Sequence, residues 1–157
     1  MSNPCPFCQQ AAAPADSLRD HVWSFPHAVS VLGRWQFYHG YCVVFSRSHA
    51  REPDDLSKAE RDGLTESGWW MACAIREAFA PRKLNYELLG NQVEHPHWHV
   101  FPRLAGDPEH LKPAWVRIDR EEGQPGLLPG LEGNQASRSA TIATLKATLA
   151  RLGAPSA

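Results

Sequence analysis

The apolar positions of this chain follow two periods. Residues 40–46 (GYCVVFS) run apolar without relief and are rich in β-branched and aromatic types, which predicts a strand covered on both faces. Residues 57–80 repeat Leu64, Met71, Ile75 and Ala78 or Phe79 at helical spacing. Ser57 and Glu60 read as a capping box at the start of that helix, and Pro81 as its stop. Trp69 and Trp70 point to different sides of it, so one is expected to meet a partner chain. Residues 84–90 (LNYELLG) and 95–103 (HPHWHVFPR) predict two further strands joined by a short link at 91–94. Upstream, 21–31 is a short strand interrupted by Pro26, with a turn at Gly33 and Arg34. Residues 1–20 predict an ordered knuckle followed by a loop. Residues 104–136, rich in Pro, Gly and charge, predict a long surface excursion with a short strand at 114–118. Ser137 to Leu152 closes as an amphipathic helix, with Ile142, Leu145, Leu149 and Leu152 on one stripe.

The sharpest local feature is His95-Pro96-His97-Trp98-His99-Val100. On an extended strand, alternate side chains project from one face at about 7 Å intervals. The three imidazoles therefore share a face, and Trp98 and Val100 point into the core. On a helix the same three would scatter. Pro96 removes a ladder donor, which predicts an edge strand or a bulge at its start. A neutral imidazole is a nucleophile near neutral pH and can attack phosphorus to give a covalent phosphoramidate. A neighbouring imidazole can orient it or protonate the leaving oxygen. The bland alternative is a structural metal site or a His-rich strand without chemistry.

Cys5 and Cys8 form a CxxC. That spacing suits two thiolates on one tetrahedral zinc, and it is also a redox spacing. Its place near the start of the chain, not between a strand and a helix, favours zinc. Cys42 and Cys73 lie in apolar patterns and read as small core residues. Arg47 and Arg103 are candidate phosphate contacts by charge-assisted hydrogen bonds, or plain surface arginines. His21, His27, His39 and His110 read as solvated or core-satisfied histidines. Phe25 and Phe37 read as core before base pocket.

Composition narrows the classes further. The 157 residues are 43% hydrophobic and 21% charged, which excludes a wholly disordered chain. Sixteen Lys and Arg against seventeen Asp and Glu leave a net charge of −1, so whole-molecule charge does not argue for extended nucleic acid as a partner. No apolar run approaches the ~20 residues of a membrane helix. The start of the chain has no signal-like organisation, and a cytoplasmic protein with reduced cysteines is expected.

The chain resembles the histidine triad (HIT) superfamily. His95-Pro96-His97-Trp98-His99-Val100-Phe101 fills each position of its His-φ-His-φ-His-φ-φ motif, where φ is apolar, and Pro102-Arg103 continues it. Cys5/Cys8, Arg47-Ser48-His49, the helix from Leu56 onward and Asn91 match further family elements in order, over about residues 3–104. The resemblance implies an α+β fold, an antiparallel sheet with the long helix packed on it, here with a C-terminal helix. It implies a nucleotide-binding core at 1–104 and a homodimer; residues 105–157, which it does not cover, are expected to form an extension packed on the same domain. It implies a nucleotidyl hydrolase of the zinc-carrying bacterial branch, acting on a dinucleoside polyphosphate or a nucleoside phosphoramidate through a nucleotidyl-histidine. His97 would be the nucleophile and His99 a hydrogen-bonding partner. Asn91 and Gln92 would lie near the phosphate. His95 would orient the site, or bind a structural zinc with Cys5, Cys8 and His49. Gly40-Tyr41 departs from the family's Gly-His. His-Pro-His is similar to a hexose-1-phosphate uridylyltransferase branch, whose third position is typically Gln; His99 favours water as the acceptor. A zinc-stabilised binding module and a nucleotidyltransferase are the alternatives.

Overall fold

A computed structural model describes residues 5–157. The chain runs α1 (Pro6–Ala12), β1 (His21–Ser24), β2 (Ala28–Leu32), β3 (Cys42–Ser46), α2 (Lys58–Phe79), β4 (Lys83–Glu87), β5 (His97–Arg103), α3 (Ala114–Glu121), α4 (Leu128–Glu132) and α5 (Gln135–Leu152). The five strands form one antiparallel sheet in the order β1-β2-β3-β5-β4. This is the expected α+β fold.

The capping box at Ser57 and Glu60 forms as expected. Glu60 also accepts from the Ser48 hydroxyl, so the start of α2 is tied to the segment that carries His49. The apolar stripe of α2 buries Leu64, Met71 and Ile75, and Gly68 lets Trp98 of β5 approach its backbone closely. Trp69 is 56% exposed while Trp70 packs on the core, so the two indoles do diverge. Ile142, Leu145 and Leu149 of α5 are buried against the same core. The helix begins at Gln135, because the Asn134 side chain accepts from the Ser137 amide and supplies the N-cap.

Alternation divides the sheet's residues between two apolar layers. Cys42 and Val44 of β3 and Val100 of β5 join the helix-side core, with Trp98 packed against it. Val43, Phe45 and Phe101 join a second core with Val29, Val31, Tyr41 and Ile118. All five β3 residues are buried, as its unbroken apolar run requires.

Four expectations are corrected. Pro96 does not put the triad strand at an edge: β5 lies between β3 and β4 and starts at His97, so Pro96 removes no donor from the ladder. The interrupted strand at 21–31 is a hairpin of two strands, with the connection around Pro26. Residues 6–12 are helical, since Pro6 suits a first-turn position. Residues 114–118 begin α3 and are not a strand, and α4 also lies in the stretch read as a surface excursion. In α3, Ala114 and Ile118 share a buried face at i and i+4, a signal that flanking Pro and charge obscure in the sequence.

Candidate functional site

Cross-strand register sets the centre of the site. His97 of β5 lies opposite Phe45, and His99 opposite Val43. Both imidazoles are buried and border a cavity of about 400 Å³. Phe7 of α1 stacks on Phe45 at 4.6 Å and leans on His97 at 4.8 Å between ring centroids. Asn91, Gln92 and Val93 close the cavity from the loop before β5, and Trp115 and Asp119 close it from α3.

The hydrogen bonds assign the protons. The His95 carbonyl can only accept, so His97 Nδ1 donates to it at 2.6 Å. His97 Nε2 is then left with its lone pair. The Tyr41 phenol is pushed far above its ordinary value by burial and keeps its proton. It donates to His99 Nδ1 at 2.7 Å. His99 Nε2 therefore carries a proton, which it donates to His97 Nε2 at 3.0 Å. Burial holds the His99 ring neutral, with its pKa depressed to about 3, and lowers that of His97. Tyr41 is held by stacking on Phe101 at 4.0 Å. It fills the space over Gly33, where an added Cβ would come 2.2 Å from the Tyr41 ring.

The expectation that all three imidazoles alternate along one strand is corrected for His95, which precedes β5 and gathers with Cys5, Cys8 and His49 instead of bordering the cavity. His95 Nε2 donates to the Ser46 carbonyl at 2.8 Å, so Nδ1 presents a lone pair. That atom lies 3.4 Å from Cys5 Sγ, 3.6 Å from Cys8 Sγ and 3.3 Å from His49 Nδ1, and Cys8 Sγ lies 3.3 Å from His49 Nδ1. The four donor atoms all fall within 4.8 Å of one another. A tetrahedral ion with Zn–S of about 2.3 Å and Zn–N of about 2.0–2.1 Å separates its ligands by about 3.3–3.8 Å, so the donor set fits one. Cys5 caps α1 and Cys8 follows in its first turn, which turns the CxxC toward β3 and the triad. The carbonyl bond to His95 is the outer contact that fixes a ligating imidazole.

Neither arginine reaches the cavity. Arg103 is wholly buried and fully occupied: it donates to Asp107 at 2.6 Å, Asn85 at 2.7 Å, and the Lys112 and Glu109 carbonyls at 2.6 Å each. It pins the segment that leads into α3. Arg47 donates to the Phe25 carbonyl. Phe25 and Phe37 are core residues. Cys42 is buried and Cys73 half-buried. Phe7, Tyr41, Trp115 and Asp119 were not singled out for the site from the sequence. A tyrosine where the family has histidine was the available signal for Tyr41, and i, i+4 spacing on one helix face for the α3 pair.

Comparisons with known proteins bear on the family and the fold. The HIT domain profile matches residues 17–106. The chain belongs to the HIT domain family. A Zn-bound histidine triad family protein from Mycobacterium smegmatis is 22% identical, with 96% of each chain covered and a TM-score of 0.68. A histidine triad protein from Sinorhizobium meliloti is 19% identical over 83% of this chain and 90% of its own, at a TM-score of 0.66. A hypothetical histidine triad nucleotide-binding protein from Sulfolobus tokodaii is 15% identical over 94% and 93%, at 0.67. At these identities the likeness is one of fold. No curated protein sequence matches the chain significantly. Among the described residues, no helix is long and apolar enough to cross a membrane.

The buried neutral His99 makes stability sensitive to acid. Above its ordinary pKa of 6.5 the ring is neutral folded or unfolded and adds no pH dependence. Below that value the unfolded chain takes up a proton that the folded chain refuses down to about pH 3. Folding free energy should therefore fall by an extra ~2–3 kcal/mol between pH 6.5 and 4. Denaturant titrations of wild type and His99→Asn should show a shallower acid decline in the variant. Equal declines would contradict the assignment.

Proposed function

We propose that this HIT protein is a nucleotidyl hydrolase acting on a dinucleoside polyphosphate or a nucleoside phosphoramidate through a covalent nucleotidyl-His97. The observation that carries the reading is the proton order Tyr41 to His99 to His97 to the His95 carbonyl. It leaves a lone pair on His97 Nε2 at the cavity wall, already aimed by its backbone bond. When a phosphate enters, His97 Nε2 forms a bond to phosphorus as the bond to the leaving group breaks. The His99 Nε2 proton, no longer accepted by His97, turns to a phosphate oxygen. With its pKa near 3, His99 acts as a neutral hydrogen-bond donor and not as the acid that protonates the leaving group. Asn91 and Gln92 border the same cavity and supply amides to the phosphate. Water then cleaves the His97–phosphorus bond. Across Phe7 a second cavity of about 460 Å³, bordered by Val31, Gly33 and Val43 and by Arg19, Asp20 and Arg34, is the proposed place of the nucleobase.

Cys5, Cys8, His49 and His95 are proposed to hold a structural zinc. Such an ion supplies rigidity: the residues that bind it join α1, the start of α2 and the triad, and so hold Phe7 and the His95 carbonyl against His97. Residues 1–104 are read as the nucleotide-binding core and 105–157 as an extension packed on the same domain. The free edge of β4 and the exposed Trp69 support a homodimer, and the cytoplasm is the proposed location.

Three outcomes test this reading. Incubation with labelled dinucleoside polyphosphates and phosphoramidates should trap nucleotidyl-protein, and His97→Ala should abolish it and lower kcat by roughly 10³-fold or more. Full turnover by that variant would remove the mechanism. Binding without product would favour a binding module, and a requirement for a phosphorylated acceptor would favour a transferase. Tyr41→Phe removes one hydrogen bond from the proton chain and should lower kcat up to about tenfold, with a smaller change in KM; unchanged kinetics would detach Tyr41 from the chemistry. Purified protein should carry about one zinc per chain, and Cys8→Ser should lose it together with thermal stability. Zinc-free protein with both thiols freely alkylated would refute the ligand set.

A further inference from the structure

The wall of the cavity that faces His97 from α3 carries a charge of unexpected sign. Trp115 and Asp119 stand one helical turn apart and both border the cavity. Asp119 is the sole Asp, Glu, Lys or Arg among the described residues lining it. The arginines of the same helix are engaged elsewhere: Arg117 pairs with Glu121, and Arg120 with Glu109 and Glu121. Asp119 has no ion-pair partner among the described residues. Arg103 is buried and consumed in pinning the segment before α3. The Tyr38 hydroxyl pins the helix start by donating to the Ala114 carbonyl. An exposed carboxylate thus stands at the cavity rim on a supported helix, one turn beyond Trp115, whose indole lies 5.1 Å from the His99 ring.

An anionic polyphosphate leaving group would meet repulsion here and no fixed counter-charge. A carboxylate and an indole side by side are the chemistry that receives an alkylammonium. Both residues lie beyond the matched HIT profile, which ends at residue 106. Resting on the hydrolase reading above, we infer that Asp119 and Trp115 select a leaving group that carries a distal alkylammonium, as in a nucleoside phosphoramidate of a diamine. In the first step His97 Nε2 gives its lone pair to phosphorus as the phosphorus–nitrogen bond breaks. The amine departs with the bonding pair and takes a proton from solvent. Water then displaces His97 and releases the nucleoside monophosphate. The distal ammonium takes no part in bond changes and only places the amine.

Three adenosine phosphoramidates of equal length test this. Their amines are a diamine, an alkylamine and an amino acid, ending in an ammonium, a methyl and a carboxylate. With the full-length protein, kcat/KM should rank ammonium above methyl above carboxylate, by about fivefold a step. In Asp119→Asn the ammonium-to-methyl ratio should fall to about one, and Asp119→Lys should reverse the ranking. A ratio unchanged in Asp119→Asn, or no ranking in wild type, overturns the inference. So does a magnesium-dependent polyphosphate that outruns all three and loses its metal dependence in Asp119→Asn, since the cation received would then be the metal. The same compounds titrated calorimetrically into His97→Ala should bind in the same order. Turnover without charge preference sinks this inference alone. Ordered binding without turnover in wild type sinks the hydrolase reading alone.

Discussion

The site depends on one constraint, the position of β5 inside the sheet. A strand paired on both sides cannot rotate about its axis or slip by one residue without exposing an entire core face. β5 is fixed by β3 and β4, so His97, His99 and Phe101 are committed to one layer and Trp98 and Val100 to the other. The helix-side core anchors the strand from behind. The imidazoles then need only small, directed contacts to become ordered: one carbonyl, one phenol and each other. Because these contacts are buried, each missing partner would leave a polar atom uncompensated, and the proton order follows from that demand.

His95 links this order to the ligand set. Its ring binds toward Cys5, Cys8 and His49, while its carbonyl holds His97 Nδ1. One residue therefore serves two groups through two different atoms. Phe7 reinforces the link, since it sits between the two cysteines in sequence and packs on His97 in space. Stabilising the cysteine cluster and positioning His97 are mechanically one task.

Much of this was legible in the residues. The His97/His99 alternation, the capping box of α2 and the CxxC each encode local geometry, and each stands where that geometry puts it, whereas His95 precedes the strand and turns to the cysteines. The arginines were not legible. Arg103 read as a candidate phosphate contact or a plain surface arginine. Here Asp107, Asn85 and two carbonyls enclose it, and those partners come from separate segments. Residues 104–136 misled for a related reason: Pro, Gly and charge mark a loop locally, while Ala114 and Ile118 become helical by burying one face against the sheet's second layer.

Local periodicity and motif spacing were enough for the strand face of His97 and His99, the capping box and the CxxC pair, because each depends on residues close together along the chain; the family and the pairing of His49 and His95 with the cysteines came from the resemblance. Which arginine meets a carbonyl, which phenol orders His99 and which carboxylate faces the cavity were decided by the tertiary structure alone. Those contacts join residues far apart in the chain, and only a fixed sheet register and packed helices bring them within hydrogen-bonding reach.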